Sequence, residues 1–237
     1  MSNYRIFGIH YDAFMDFASY FYRFMDRVSS RYTINTESVL EIACGTGRNL
    51  QYFKTSQLLC GLDISPEMLN SAKLNTPEAI FIQQDMTDFQ IGLEFDLVLC
   101  MFDSINHLIE YSKWISTFQS VVRHLKPNGY FIFDINTPFA LNMPTIKRTM
   151  FRQSNDDYLI MQYYNSGIDQ AIWDLHFFIQ QEMNKYLHYS ESIVEASFNV
   201  ELIKDDLLSV FSSVDMFNDM LEAPNENEQR VFFICKK

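Results

Sequence analysis

Apolar residues in this chain recur at two spacings that replace one another along its first half. Short runs of aliphatic and β-branched residues at 39–42, 58–62, 79–83, 95–100 and 130–135 read as strands, and the nearly continuous apolar character of several suits strands covered on both faces. Between them, apolar positions return every three or four residues. Residues 12–28 predict one long helix with Phe14, Phe17, Phe21, Phe24, Met25 and Val28 on a single face. A helix should follow Gly47, with Leu50 and Phe53 turned inward. Ser65-Pro66-Glu67 starts another, with a hydroxyl cap, a proline in the first turn and then an acid, and Met68, Leu69 and Ala72 form its inner side. Ser112 is expected to cap a further helix that buries Ile115, Phe118, Val122 and Leu125 before Lys126-Pro127-Asn128-Gly129 turns the chain into its fifth strand. Strand and helix in regular alternation predict an α/β fold around a mostly parallel sheet.

After residue 135 the alternation stops. Residues 158–164, 171–179 and 186–198 are rich in aromatic and β-branched positions, and Asn165-Ser166-Gly167 and Glu182-Met183-Asn184 supply the turns between them. This pattern predicts an antiparallel sheet inserted at 148–198 into an α/β unit made of 1–147 and 199–237. Asn199 should start a helix with Leu202, Ile203, Leu207 and Val210 buried, followed by strands near 213–216 and 230–235 and an exposed loop at 225–228.

The chemistry concentrates where the first strand ends. Val39-Leu40-Glu41-Ile42-Ala43-Cys44-Gly45-Thr46-Gly47 is a buried strand running into a glycine turn, and glycine lets backbone approach a ligand without a Cβ between them. A dinucleotide fingerprint needs a third small residue three positions after the second glycine, and Leu50 stands there instead. Glu41 is an acid inside the strand, costly to bury unless it meets donors. The second strand ends in Asp63, at the spacing from which an acid reaches ribose hydroxyls. The third leads to Gln84-Asp85-Met86 and the fourth to Met101-Phe102-Asp103-Ser104-Ile105-Asn106-His107-Leu108.

Together Glu41, Gly45, Gly47 and Asp63 resemble the first two motifs of class I S-adenosylmethionine-dependent methyltransferases. The stretch from Cys100 to Leu108, Asp134-Ile135-Asn136-Thr137-Pro138 and the antiparallel insertion resemble the bacterial small-molecule group that includes N,N-dimethyltransferases of nucleotide-linked amino sugars. The resemblance implies a Rossmann-like fold with a mostly parallel seven-stranded sheet, flanked by helices and carrying an antiparallel cap over the substrate. It further implies that Gly45 and Gly47 floor the methionine part of the cofactor, that Asp63 accepts from both ribose hydroxyls and that Asp85 accepts from the adenine amino group. The Met86 amide would donate to the ring and Ile64 and Met68 would sandwich it. Carbonyls near Ala43 and Cys100, with Met101 beside them, would hold the ammonium end. Tyr11, from the Tyr11-Asp12 pair, would close over the sulfonium.

Methyl transfer from a sulfonium needs in-line positioning and exclusion of water more than side-chain chemistry. An amine must shed a proton before attack, and His107 is the expected base because imidazole titrates near neutrality. Asp103, Asp134 and Asn136 form an oxygen-rich set of the kind that metal-dependent O-methyltransferases use. The rest of the chain is unlike that family, so no metal is expected.

Composition narrows the partners. Eighteen Lys and Arg against 30 Asp and Glu, a net charge of −12, leave no cationic excess to displace counterions from nucleic acid. Cys44, Cys60, Cys100 and Cys235 form no Cys-x-x-Cys pair and read as reduced core thiols of a cytoplasmic protein. No basic segment followed by an apolar run marks a leader, and no stretch approaches the ~20 apolar residues that span a bilayer. The expectation is a monomer or homodimer that methylates a small molecule at nitrogen. From residues alone, methylation at oxygen, a dehydrogenase on the same fold and a non-catalytic cofactor-binding protein stay open as rivals.

Overall fold

The computed structural model describes residues 5–15, 17–143 and 147–237. Five parallel strands, β1 (Ser38–Ile42), β2 (Leu58–Asp63), β3 (Ile80–Gln83), β4 (Phe95–Cys100) and β5 (Leu125–Asn136), are joined to β10 (Ser213–Phe217) and β11 (Arg230–Lys236) in one seven-stranded sheet of order β10-β11-β5-β4-β1-β2-β3. β11, inserted between β5 and β10, runs antiparallel to both. The strand order reverses between β1 and β4, so a crevice opens at the carboxyl ends of those strands, where open α/β sheets bind ligands.

Both faces of this sheet are covered. On one, α4 (Tyr111–His124) and α6 (Val200–Leu208) bury Trp114, Phe118, Val121, Ile203 and Leu207 against Leu40, Phe131 and Phe133. On the other, α2 (Ala18–Arg31) buries Phe21, Phe24, Met25 and Val28 against Leu97, Ile132 and Phe232, with the Phe24 and Phe232 rings stacked at 4.2 Å. Every residue of β1 and β4 is buried, which is why these strands read as apolar runs and not as alternations. All four cysteines are buried free thiols.

The expected single helix over 12–28 is two. α1 (Arg5–Phe14) ends before α2 begins, and Asp16 within that stretch lies outside the described residues. The physical reason is that the apolar face serves two partners. Phe7 and Phe14 pack on the cap, whereas Phe21 to Val28 pack on the main sheet. Phe17, between them, is 42% exposed and its ring meets Phe102 at 5.3 Å.

Smaller departures share a cause in tertiary packing. The helix after Gly47 is a short 3₁₀ segment, Arg48–Phe53, although Leu50 and Phe53 are buried as expected. Ser65 does cap α3 (Pro66–Asn75), accepting from the Met68 amide. Glu110, not Ser112, precedes α4, and that helix buries Trp114 and Val121 more fully than Ile115 and Val122. Lys126-Pro127-Asn128-Gly129 is a bulge inside β5, with Asn128 at φ +64°, and not a turn ahead of it. Asn199 caps α6 through the Leu202 amide, but Leu202 itself is exposed.

The inserted sheet has four antiparallel strands instead of three: β6 (Arg148–Ser154), β7 (Asp157–Gly167), β8 (Gln170–Glu182) and β9 (Lys185–Ala196), in that order. The sequence shows too little apolar alternation in β6 because it is an edge strand with mostly exposed side chains. Alternation turns Leu159, Met161, Leu175, Phe177 and Ile193 inward, where they close on Phe7 and Phe14 of α1. Glu191 of β9 accepts from the Ile6 and Phe7 amides at 2.7 and 2.9 Å, holding the first turn of α1 to the cap. The first helix therefore packs with the cap as well as with the cofactor loop.

Candidate active site

One cavity of about 1050 Å³ runs from the glycine loop, under α1, to the inner face of the cap. The crevice at the carboxyl ends of β1, β2 and β3 forms one half. The ends of β4 and β5, the start of β11 and the cap form the other.

In the first half, β1 delivers Glu41 and then breaks into a turn with Ala43 at φ +51° and Gly45 at φ +53°. Asp63 at the end of β2 accepts from the Gly45 amide at 2.8 Å and from the Ser65 amide at 2.9 Å. Burial raises its pKa, while those two amides act the other way. Asn49 donates to one oxygen of Glu41 at 2.6 Å, and the other oxygen is buried without a partner. Burial pushes the Glu41 carboxyl up to about 8. Met68, Ile64, Asp85 and Met86 line the same half, and Ile64 is 53% exposed at its rim. Thr87 donates twice to one oxygen of Asp85, through its amide and its hydroxyl.

Tyr11 lines the cavity where the halves join. Burial raises its pKa most, with Asp103 on one side and Glu41 on the other adding to the rise. Asp12 fixes α1 over the loop, accepting from Thr46 at 2.7 Å and Asn75 at 2.6 Å.

The second half is built around paired charges. Phe102 and Asp103 take positive φ, and their amides donate to the two oxygens of Asp134 at 2.7 and 3.0 Å. Arg230, the first residue of β11, bridges Asp134 and Asp103 and also reaches Asn136. Its guanidinium thus sits among the oxygen-bearing side chains that the sequence grouped as a metal-type set. Asp134 is fully buried and, despite the arginine, its carboxyl is pushed up to about 6 by burial.

Asn106 ties the strand ends together. Its side-chain amide donates to the carbonyls of Asn136 and Ala196 at 3.0 and 2.8 Å and accepts from the Asn136 amide at 3.1 Å. Asn136 in turn donates to Glu195 of β9 at 3.1 Å. Glu195 is 2% exposed, and burial together with nearby Asp103 pushes its carboxyl up to about 8. His107 also lines the cavity, with a hydrogen bond to the Val194 backbone; burial lowers its pKa, so the imidazole resists protonation.

Of the residues singled out from sequence, Tyr11, Glu41, Ala43, Gly45, Asp63, Ile64, Met68, Asp85, Met86, Met101 and His107 all line this cavity. Gly47 and Cys100 stand behind it. Gly47, at φ +70°, is needed for packing, since a Cβ there would meet the Phe81 ring at 3.0 Å and the Ala72 Cβ at 3.1 Å. The Cys100 side chain is fully buried in the core beneath β4's end. Sequence reasoning missed Arg230, Glu195 and Asn106. A lone acid in the apolar stretch Ile193-Val194-Glu195-Ala196 was the available signal for one, the same signal that marked Glu41. Nothing local marks Arg230, whose partners lie far away in the chain.

A glycine-loop cradle at a strand-order reversal, with an acid ending the second strand and an antiparallel cap over the far half, defines a Rossmann-like cofactor-binding protein. A family model described as "Methyltransferase domain" matches residues 39–129. The chain is 31% identical to "Putative methyltransferase YqeM" of Bacillus subtilis, over 84% of this chain and 83% of that one. It is 36% identical over 46% of each chain to a Streptomyces venezuelae dTDP-3-amino-3,4,6-trideoxy-alpha-D-glucopyranose N,N-dimethyltransferase. The fold matches a crystal structure of an S-adenosylmethionine-dependent methyltransferase from Clostridium acetobutylicum, with a TM-score of 0.81 at 21% identity over 98% of this chain and 96% of that one. The chain belongs to the class I S-adenosylmethionine-dependent methyltransferases, in their small-molecule group. Its cofactor is S-adenosylmethionine. Among the described residues, no helix is long and apolar enough to cross a membrane.

The first half of the cavity fits this cofactor on its own chemistry. The unpartnered oxygen of Glu41 suits a ligand ammonium group, and the open space over Gly45, where a Cβ would come within 3.8 Å of the Met68 sulfur, suits a close backbone approach.

Proposed function

We propose that this methyltransferase acts on the nitrogen of a small-molecule amine held between the carboxyl ends of β4 and β5 and the cap. The observation that carries this reading is the character of the acceptor half. Its walls combine the acids Asp103 and Glu195, the aromatic rings of Tyr163 and Trp173 and an imidazole that burial keeps neutral. Carboxylates and aromatic faces attract ammonium groups. The amino-sugar N,N-dimethyltransferases among its relatives support nitrogen as the acceptor atom.

In this reading Asp63 binds the ribose hydroxyls, Asp85 and the Met86 amide meet the adenine, and Ile64 and Met68 flank it. Glu41, with backbone near Ala43, Gly45, Cys100 and Met101, holds the methionine end, and Tyr11 covers the sulfonium. The cofactor supplies an electrophilic methyl group. The protein's own work is to orient the acceptor, through His107 and the cap aromatics, and to exclude water by closing 148–198 and α1 over the cavity.

The test is to incubate the protein with S-adenosylmethionine and a panel of nucleotide-linked 3-amino and 4-amino hexoses, small primary amines and the matching hydroxyl compounds. S-adenosylhomocysteine and methylated product are followed by mass spectrometry. Methylation of amines supports the reading, and methylation confined to hydroxyl compounds overturns it.

A further inference from the structure

The charges in the acceptor half are unevenly matched. Asp103 and Asp134 share the Arg230 guanidinium. Among the described residues Glu195 has no such ion-pair partner. Its hydrogen bond comes from the neutral amide of Asn136, with the buried indole N–H of Trp173 beside it. Yet Glu195 is 2% exposed and lines the cavity. A buried carboxyl with so little compensation is costly unless a ligand completes it.

Hydrogen bonds fix its placement. Asn106 clamps Ala196, the residue after Glu195, to Asn136 at the end of β5, so the carboxyl is held over the acceptor half and not on a free strand end. Alternation along β9 puts Glu195 on the same face as Ile193, whose register partner Trp173 meets the Tyr163 ring at a tilt, with ring centroids 4.4 Å apart. Carboxyl and aromatic wall therefore share one face of the cap.

We propose that Glu195 is the acceptor-amine site: its carboxylate binds the incoming ammonium group and takes its proton. The inference deepens the nitrogen reading and rests on it. A desolvated ammonium–carboxylate pair gains by passing one proton from nitrogen to oxygen, because two neutral groups replace two buried charges. The nitrogen is left with a free lone pair. As it bonds to the methyl carbon, the sulfur–carbon bond breaks and its electron pair goes to sulfur. The product leaves as an N-methylammonium ion and Glu195 gives its proton to water. His107 is the weaker proton acceptor, since its burial disfavours the imidazolium form.

The groups facing Glu195 set how it titrates. Asp103, after β4, raises its proton affinity and Arg230 of β11 lowers it, while Tyr163 of β7, with Arg148 of β6 beyond it, stands on the cap side. With burial and Asp103 raising its pKa, Glu195 in the free wild-type protein should give a kcat/KM that rises with pH as the carboxyl ionises, earlier than the amine itself loses its proton, and then levels off.

Two measurements on the full chain test the proposal. The first compares wild type, Glu195→Gln and Glu195→Asp with whichever amine of the panel is methylated. Glu195→Gln should lose about 10²-fold in kcat/KM at pH 7, and its profile should rise only later, through the pKa of the amine, where the nucleophile arrives neutral and most of the activity returns. Glu195→Asp should keep the earlier rise. The second needs no acceptor. Sinefungin, a cofactor analogue with a primary amine in place of the transferable methyl group, projects an ammonium into the acceptor half. Calorimetry should show Glu195→Gln weakening sinefungin about tenfold relative to S-adenosylhomocysteine, whose unchanged affinity certifies the fold.

Amine methylation with superimposable pH profiles overturns the role of Glu195 and leaves the nitrogen reading standing. Methylation confined to hydroxyl compounds overturns both. If no panel compound is methylated, the sinefungin ratio decides, and an unchanged ratio overturns the proposal.

Discussion

The Asp63 carboxylate accepts from the Gly45 amide at 2.8 Å, so the residue that ends β2 also fixes the turn that ends β1. One side chain thus ties two parts of the cofactor cradle. Asp63→Ala should weaken S-adenosylmethionine and S-adenosylhomocysteine alike by at least about tenfold, since hydrogen bonds to a charged group contribute roughly 1.5–3 kcal/mol. Calorimetry on protein with a native circular dichroism spectrum measures it. Unchanged affinity would remove Asp63 from the ribose site.

Glu41 carries a half-satisfied carboxyl in the core. A carboxyl whose folded-state pKa is raised contributes stability that is fully present below the unfolded value and is lost as pH climbs through the folded one. With 4.5 as the ordinary value and about 8 in the fold, that window runs from about 4.5 to 8. Glu41→Gln should therefore flatten the decline in the melting temperature of the cofactor-free protein between pH 5 and 8, while binding S-adenosylmethionine more weakly. A steeper decline in the variant would contradict the buried-acid account.

Leu50 fills the position where a dinucleotide-binding turn needs a small residue, and it is fully buried in the 3₁₀ segment against α2. S-adenosylmethionine and S-adenosylhomocysteine should bind, whereas NAD and NADP should give no heat in the same titration. Comparable affinity for a nicotinamide cofactor would overturn this account of the loop.

If, as proposed, Glu195 takes the proton and His107 orients the acceptor, His107→Ala should leave cofactor affinity intact and lower turnover by less than about 10²-fold. The pH–rate profile of the variant should keep its rising limb. A lost limb would return the base to His107.

Arg230 neutralises a carboxylate with no access to water. Arg230→Met should destabilise the fold by about 3–5 kcal/mol by stranding that charge, and adding Asp134→Asn should recover much of the loss. Chemical denaturation of the single and double variants measures both. Equal stability of the two would show that Asp134 is protonated in the fold.

The parallel half of the molecule was legible because β1, β2 and β4 announce themselves by burial on both faces and Ser65-Pro66-Glu67 marks the start of α3. Most of the proposed cofactor residues could be placed on the cavity wall for the same reason: they sit at strand ends whose order the chain preserves. Two kinds of feature were not. The break between α1 and α2 depends on the cap drawing Phe7 and Phe14 away from the sheet, a partner roughly 150 residues later in the chain. Glu195 and Arg230 gain meaning only from Asn136, Asp103 and Asp134, which no local period or motif connects to them.

The insertion of β11 beside β5 also governs the order in which the protein can assemble. Asp134 and Arg230 are 96 residues apart, and the whole cap lies between them. The contacts among β1 to β4 close shorter loops and can nucleate earlier, whereas the outer edge of β5 must wait for a loop that spans the insertion. Until β11 docks, that edge is an open strand template next to an uncompensated acid, the species most prone to mispair with a second chain. Pulse-labelled hydrogen exchange during refolding should accordingly protect the amides of β1 and β4 before those that β5 exchanges with β11.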